Sequence, residues 1–176
     1  MTKPKLKQLE TLQYIKEPLL EDVFLIGIRG YYQDSMGKPG INDRGIYDDA
    51  ICLVAPNLFL TFNANTDPSV YRRGIATLMP GKHLYKKGKH KITGPNPYPA
   101  LRPATADEAL PVKRDGKVGI SKGIAINIHK GGYKTTSSEG CQTIYPDQWK
   151  AFIDTVYAQM DQFEQRTIPY YLVEYK

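Results

Sequence analysis

Residues 118–145 read "VGISKGIAINIHKGGYKTTSSEGCQTIY". Ile124, Ile126 and Ile128 alternate with smaller or polar neighbours, the period of a strand with one face in a core. That strand ends at His129. A loop of Gly, Thr, Ser and Lys follows, and the run from Cys141 opens a second strand. The chain has only two cysteines and three histidines, so one of each on either side of this loop is the feature from which the reading starts. Gly131 and Gly132 relax the backbone after His129, and Gly140 allows close approach just before the thiol. The bend is expected to place Cys141 opposite His129.

Outward from this stretch, strand signals dominate. "VFLIGIRGYY" is a β-rich run suited to a buried strand. "IYDDAICLVAP" and "LFLTFNA" read as paired strands around a Pro-Asn turn, and "IPYYLVEY" as a closing strand. Between them, "QDSMGKPGINDRG" is a turn-rich connection. Short strands are expected from Thr66 to Gly94. The proline-rich "TGPNPYPALRPATADEALPVKRDGK" predicts a long irregular loop, a lid or binding edge.

Two helices complete the pattern. Leu6, Leu9, Leu12 and Ile15 recur every third position and predict a short amphipathic helix before Pro18. Trp149, Phe152, Ile153, Val156, Tyr157, Met160 and Phe163 lie at helical spacing behind Pro146, which suits a first turn. Their stripe reads as core. The expected fold class is mostly β (α+β), one compact domain over residues 1–176 with one or two packed helices.

At 176 residues the chain is long enough for a core without disulfides or metal. Cys52, inside an apolar run, reads as a small core residue. The N-terminus lacks the pattern of a secretory signal, and no stretch is apolar enough to span a bilayer. Synthesis in the cytoplasm is expected, with no membrane insertion. Net charge is +6, which favours anionic partners such as the bacterial wall or nucleic acid. The densest basic run, "GKHLYKKGKHKITG", reads as a solvated hairpin or loop, or as a binder of an anionic polymer. It carries no nucleic-acid-binding motif, so nucleic acid is not the expected partner.

A thiol is nucleophilic as thiolate, and an imidazole within reach can take its proton. Small residues around Cys141 leave backbone N–H groups for an oxyanion. "INIH" ending at His129, followed by "SEGC" from Ser138 to Cys141, resembles the motif of the L,D-transpeptidase family, a His followed by a Ser/Thr-His-Gly-Cys box. The resemblance covers Val118 to Tyr145. It implies a compact β-rich catalytic domain in which Cys141 attacks a carbonyl of the peptidoglycan stem peptide and His129 acts as base. A backbone carbonyl near the histidine orients the ring in that family, and Ser138 and Gly140 belong to the motif around the oxyanion. No cofactor is implied. Two departures stand out: the His-to-Cys interval is short, and Glu139 replaces the histidine of the box. That carboxylate would raise the thiol pKa unless paired with Lys130 or Lys134.

Without an export signal, a compact basic wall enzyme looks like a phage endolysin, a monomer released onto the wall. Hydrolysis is therefore expected, with water resolving a thioester. Lys130, Arg44 and Asn65 are candidate substrate contacts. Three other readings use the same chain: an L,D-transpeptidase in which an amine resolves the thioester, a zinc amidase with His129, Cys141 and either His83 or His90 as ligands, and a non-enzymatic basic nucleic-acid binder.

Overall fold

The computed structural model describes all 176 residues. The strands are β1 (Phe24–Arg29), β2 (Asp49–Ala55), β3 (Leu58–Asn65), β4 (Ala76–Leu78), β5 (Gly81–His90), β6 (Tyr98–Pro103), β7 (Ala109–Arg114), β8 (Ile120–Ile124), β9 (Ile128–Lys130), β10 (Gln142–Ile144) and β11 (Thr167–Glu174). The helices are α1 (Gln8–Leu12) and α2 (Pro146–Gln162). The fold is mostly β. Eight strands close a barrel in the order β1-β11-β5-β6-β9-β10-β3-β2, and β4-β7-β8 form a separate small sheet.

Alternation along the strands builds two apolar layers. Leu25, Ile51, Leu53 and Phe62 join Phe152, Ile153, Val156 and Met160 of α2 in one cluster, which also takes in Leu78 and Val112 of the small sheet. Phe24, Ile26, Ile28 and Cys52, on the opposite strand faces, are covered by Leu6, Leu12 and Ile15 from the N-terminal segment. The expected helix there shrinks to five residues, since the segment is held by packing and by contacts such as Thr61 Oγ1 donating to Pro4 O at 2.8 Å. Pro146 does open α2. No helix is long and apolar enough to cross a membrane.

Three local expectations are corrected. The proline-rich stretch is not an irregular loop but carries β6, a 3-10 turn at Ala106–Glu108, and β7. Prolines are tolerated there because the lost N–H is compensated. Pro111 O accepts from Met79 N at 3.0 Å, and Met79 O, which a proline cannot serve, takes His83 Nε2 at 2.7 Å instead.

The basic run is not a loop but one arm of a hairpin, antiparallel to β6. It is β5, ten residues long and paired on both sides by β11 and β6. Lys82 meets Glu21 at 3.8 Å, and Lys87 pairs with Asp161.

The single strand expected to end at His129 is broken into β8 and β9. Ala125 sits between them at φ 53°. Ile126 and Ile128 are buried, whereas Ile124 is exposed, because β8 belongs to the small sheet and only β9 to the barrel.

Candidate active site around Cys141 and His129

β9 and β10 are parallel neighbours, with Gln142 beside Ile128 and Thr143 beside His129. A parallel pair needs a crossover rather than a simple reversal, and residues 131–141 supply it. Cys141 therefore does not sit opposite His129 as a hairpin would place it. It precedes Gln142, whose N–H donates to Asn127 O at 2.9 Å. Side chains alternate along a strand and registered neighbours share a face, so Cys141, Thr143, Asn127 and His129 lie on one face.

The crossover is pinned along its length. Tyr47 OH donates to Gly132 O at 2.6 Å, and Gly131 is required because a Cβ there would collide with the Tyr47 ring. Ser69 Oγ lies 2.6 Å from Thr136 Oγ1 and accepts from Ser138 N at 2.8 Å. Glu139 does not pair with Lys130 or Lys134; its partner is Arg72, at 2.8 Å.

The imidazole of His129 is buried. Its Nδ1 donates to Lys130 O at 2.8 Å and lies 3.3 Å from Tyr98 OH. The proton is thus on Nδ1, leaving the lone pair on Nε2. His90 of β5 stacks on this ring, with centroids 3.8 Å apart and planes within 12°. Asn127 Nδ2 donates to His90 Nδ1 at 3.2 Å. Burial, then the neighbouring His90, holds the His129 pKa down to about 3.

The Cys141 thiol donates to Ala125 O at 3.6 Å. Burial pushes its pKa up to about 11, the Asn127 N–H and the Arg102 charge pull it back, and Glu139 adds to the rise. The resting pair is therefore a neutral thiol and a neutral imidazole. Cys52 is fully buried and its thiol is pushed up to about 12 by burial.

Ser138 and Gly140 shape the loop that leads into Cys141. Ser138 Oγ donates to Cys141 O at 2.6 Å and accepts from Gly140 N at 3.0 Å. The Gly140 N–H is consequently occupied, while the Cys141 N–H has no protein acceptor. Gly140 adopts φ 133°, and a Cβ there would meet Ala76 O.

Lys130 is exposed, its Nζ 5.9 Å from the Tyr98 ring centre. Arg44 and Asn65 do not line a groove with these groups. Arg44 is held by Asp115, with contacts of 2.5 and 2.9 Å, on a separate cleft of about 660 Å³ walled by Arg29, Lys113 and Lys117. Asn65 is fully buried and donates to Asp67 O.

The His/His/Cys ligand set does not form. His83 is committed to Met79 O. The in-plane lone pairs of the stacked His90 and His129 rings run side by side rather than meeting, and no three carboxylate, imidazole or thiol groups are placed to hold a metal ion. Tyr98, Asn127 and Arg102 are neighbours that the local reading missed, and His90 entered it only as an alternative zinc ligand. His90 and Tyr98 face each other across β5 and β6, a register that no short motif announces.

Comparison with protein-family models, curated proteins and solved structures finds no match to this chain.

Proposed function

We propose that this protein is a cysteine-dependent peptidoglycan hydrolase that cleaves a stem-peptide or cross-link amide through a thioester. The observation that carries the reading is the shared strand face of Cys141 and His129, with the His129 Nδ1–H fixed on Lys130 O. The resemblance of "INIH" and "SEGC" to the L,D-transpeptidase motif supplies the substrate class, and the net charge of +6 suits an anionic wall.

The reaction runs from the neutral pair. As Sγ bonds to the carbonyl carbon, the thiol proton swings from Ala125 O to His129 Nε2, so proton transfer accompanies attack. The Cys141 N–H is available to the developing oxyanion. Collapse breaks the C–N bond, and Nε2–H protonates the leaving amine. Water then attacks the thioester, gives its proton to Nε2, and releases the acid as Cys141 recovers its thiol. A transpeptidase would share every step to the thioester and replace water with an amine.

The test is mass spectrometry of purified peptidoglycan incubated with the wild type, with Cys141→Ala, and with wild type plus chelator. Defined fragments carrying one added water, absent with Cys141→Ala and unaffected by chelator, are expected. New cross-links instead would make it a transferase, and no change in the wall would overturn the proposal.

A further inference from the structure

The two turn-rich segments around Asn42–Asp49 and Asn63–Asp67 contain a cluster that the Cys-His chemistry leaves unused. Asp48 and Asn65 are fully buried and Asp67 is 3% exposed, with half-buried Asn42 giving access to solvent. Asn42, Asn65 and Asp67 are tied to one another, and Asp48 is held by the backbone next to Asn42. Asn42 Nδ2 donates to Asp67 Oδ2 at 2.7 Å, Asn65 Nδ2 donates to Asp67 O at 2.6 Å, and Asp43 N donates to Asp48 Oδ2 at 2.8 Å.

Asn42 Oδ1, Asp48 Oδ1, Asn65 Oδ1 and Asp67 Oδ1 are all buried without a hydrogen-bond partner. The four orphans on Asn42, Asp48, Asn65 and Asp67 are all acceptors; Asn63, on the same strand as Asn65, leaves an orphan donor, Nδ2, while its Oδ1 accepts from Gln148 Nε2. Leaving buried acceptors unmet is costly, and only a cation or several donors satisfy four at once.

The charge count agrees. Asp49 is already served, by Gly30 N at 2.5 Å and by Thr66 N and Oγ1 at 2.6 and 2.8 Å. Neither Asp48 nor Asp67 is in an ion pair. The nearby guanidiniums are committed, Arg29 to Thr66 and Leu78 O and Arg44 to Asp115 and Val70 O. Two carboxylates without an ion-pair partner match the charge of one divalent ion.

We propose that Asn42, Asp48, Asn65 and Asp67 form a calcium site. Two carboxylate and two carboxamide oxygens, with no nitrogen or sulfur, are the ligands of a hard cation. Calcium accepts this mixed and irregular set, whereas magnesium demands a near-ideal octahedron and keeps its waters.

The test is calorimetric titration of the chelator-treated, dialysed full chain with calcium chloride, alongside thermal unfolding in calcium, magnesium or sodium chloride. One ion per chain is expected. At about a hundredfold excess over Kd the melting temperature rises by roughly 5–10 °C. Asp48→Asn and Asp67→Asn abolish the shift while keeping a wild-type circular dichroism spectrum in chelator. Asn42→Ala, at the half-buried position, weakens binding by about tenfold and guards against misfolding of the buried variants. Absence of heat and of a melting shift up to about 10 mM calcium would overturn the site. So would an undiminished shift in folded Asp48→Asn, Asp67→Asn or Asn42→Ala, or an equal response to magnesium.

Discussion

The rings of His90 and His129 lie face to face, 3.8 Å between centroids and 12° from parallel. Two imidazoles this close resist double protonation. Removing the first should ease protonation of the second: in His90→Ala the His129 pKa rises, and the acid limb of the proposed hydrolysis moves to higher pH. Imidazole C–H resonances followed against pH check this without relying on turnover. A His129 titration unchanged in His90→Ala would show the stack to be packing alone.

Thiol reactivity provides a second check. With the Cys141 pKa near 11, the rate of alkylation by iodoacetamide should climb about tenfold per pH unit from neutrality to about pH 10, following the thiolate fraction. Glu139 raises this pKa, so Glu139→Gln should react faster at every pH below it. A plateau already reached at pH 7 would mean a preformed thiolate. Cys52 should stay unmodified in the folded protein.

Ser138→Ala removes one hydroxyl that serves both Gly140 N and Cys141 O. Orphaning these groups should cost about 1–3 kcal/mol and lower the melting temperature by several degrees. Turnover should fall more steeply than stability, since the backbone carrying the nucleophile loses its anchor. Equal melting curves for variant and wild type would contradict this account.

In chelator, the buried acids should set the pH dependence of stability in their range. The Asp48 pKa is raised from 3.8 to about 8 in the folded chain, so the native state binds the proton more tightly than the unfolded state. Its contribution is fully favourable below about pH 4 and is lost as pH rises toward 8. Asp48→Asn should therefore melt higher than wild type at pH 8, with the gain vanishing near pH 4. Denaturant melts at both values measure it, and a gain independent of pH would refute it.

Packing gives a further test. Phe62 is fully buried against Phe152 of α2, with ring centroids 5.2 Å apart. Phe62→Ala should cost about 3–5 kcal/mol, read as a lower denaturant midpoint with an unchanged slope.

Much of the element pattern is a local property and is legible in the chain. The apolar runs of β1, β2, β3 and β11 and the stripe of α2 follow from side-chain periodicity, as does the mostly β class. That the His129–Cys141 stretch joins two strands was legible too, because the connection is short and its glycines mark turns. What failed were readings in which a residue type stood for its context. Prolines suggested a loop where β6 and β7 run, since a missing N–H matters only if no other donor serves the opposing carbonyl. Ile124 followed the alternation of Ile126 and Ile128, but the chain changes sheets at Ala125.

By itself, then, the sequence determined that β1, β2, β3 and β11 are strands and α2 a helix, that Cys52 is core, and which two residues to examine for chemistry. Tertiary structure alone decided that β9 and β10 are parallel, that His90 rather than His83 joins His129, that Glu139 pairs with Arg72, and that acceptor oxygens of Asn42, Asp48, Asn65 and Asp67 are buried without partners. The physical reason is range. Periodicity acts over a few residues, whereas strand register and the environment of a buried charge depend on groups brought together from distant parts of the chain.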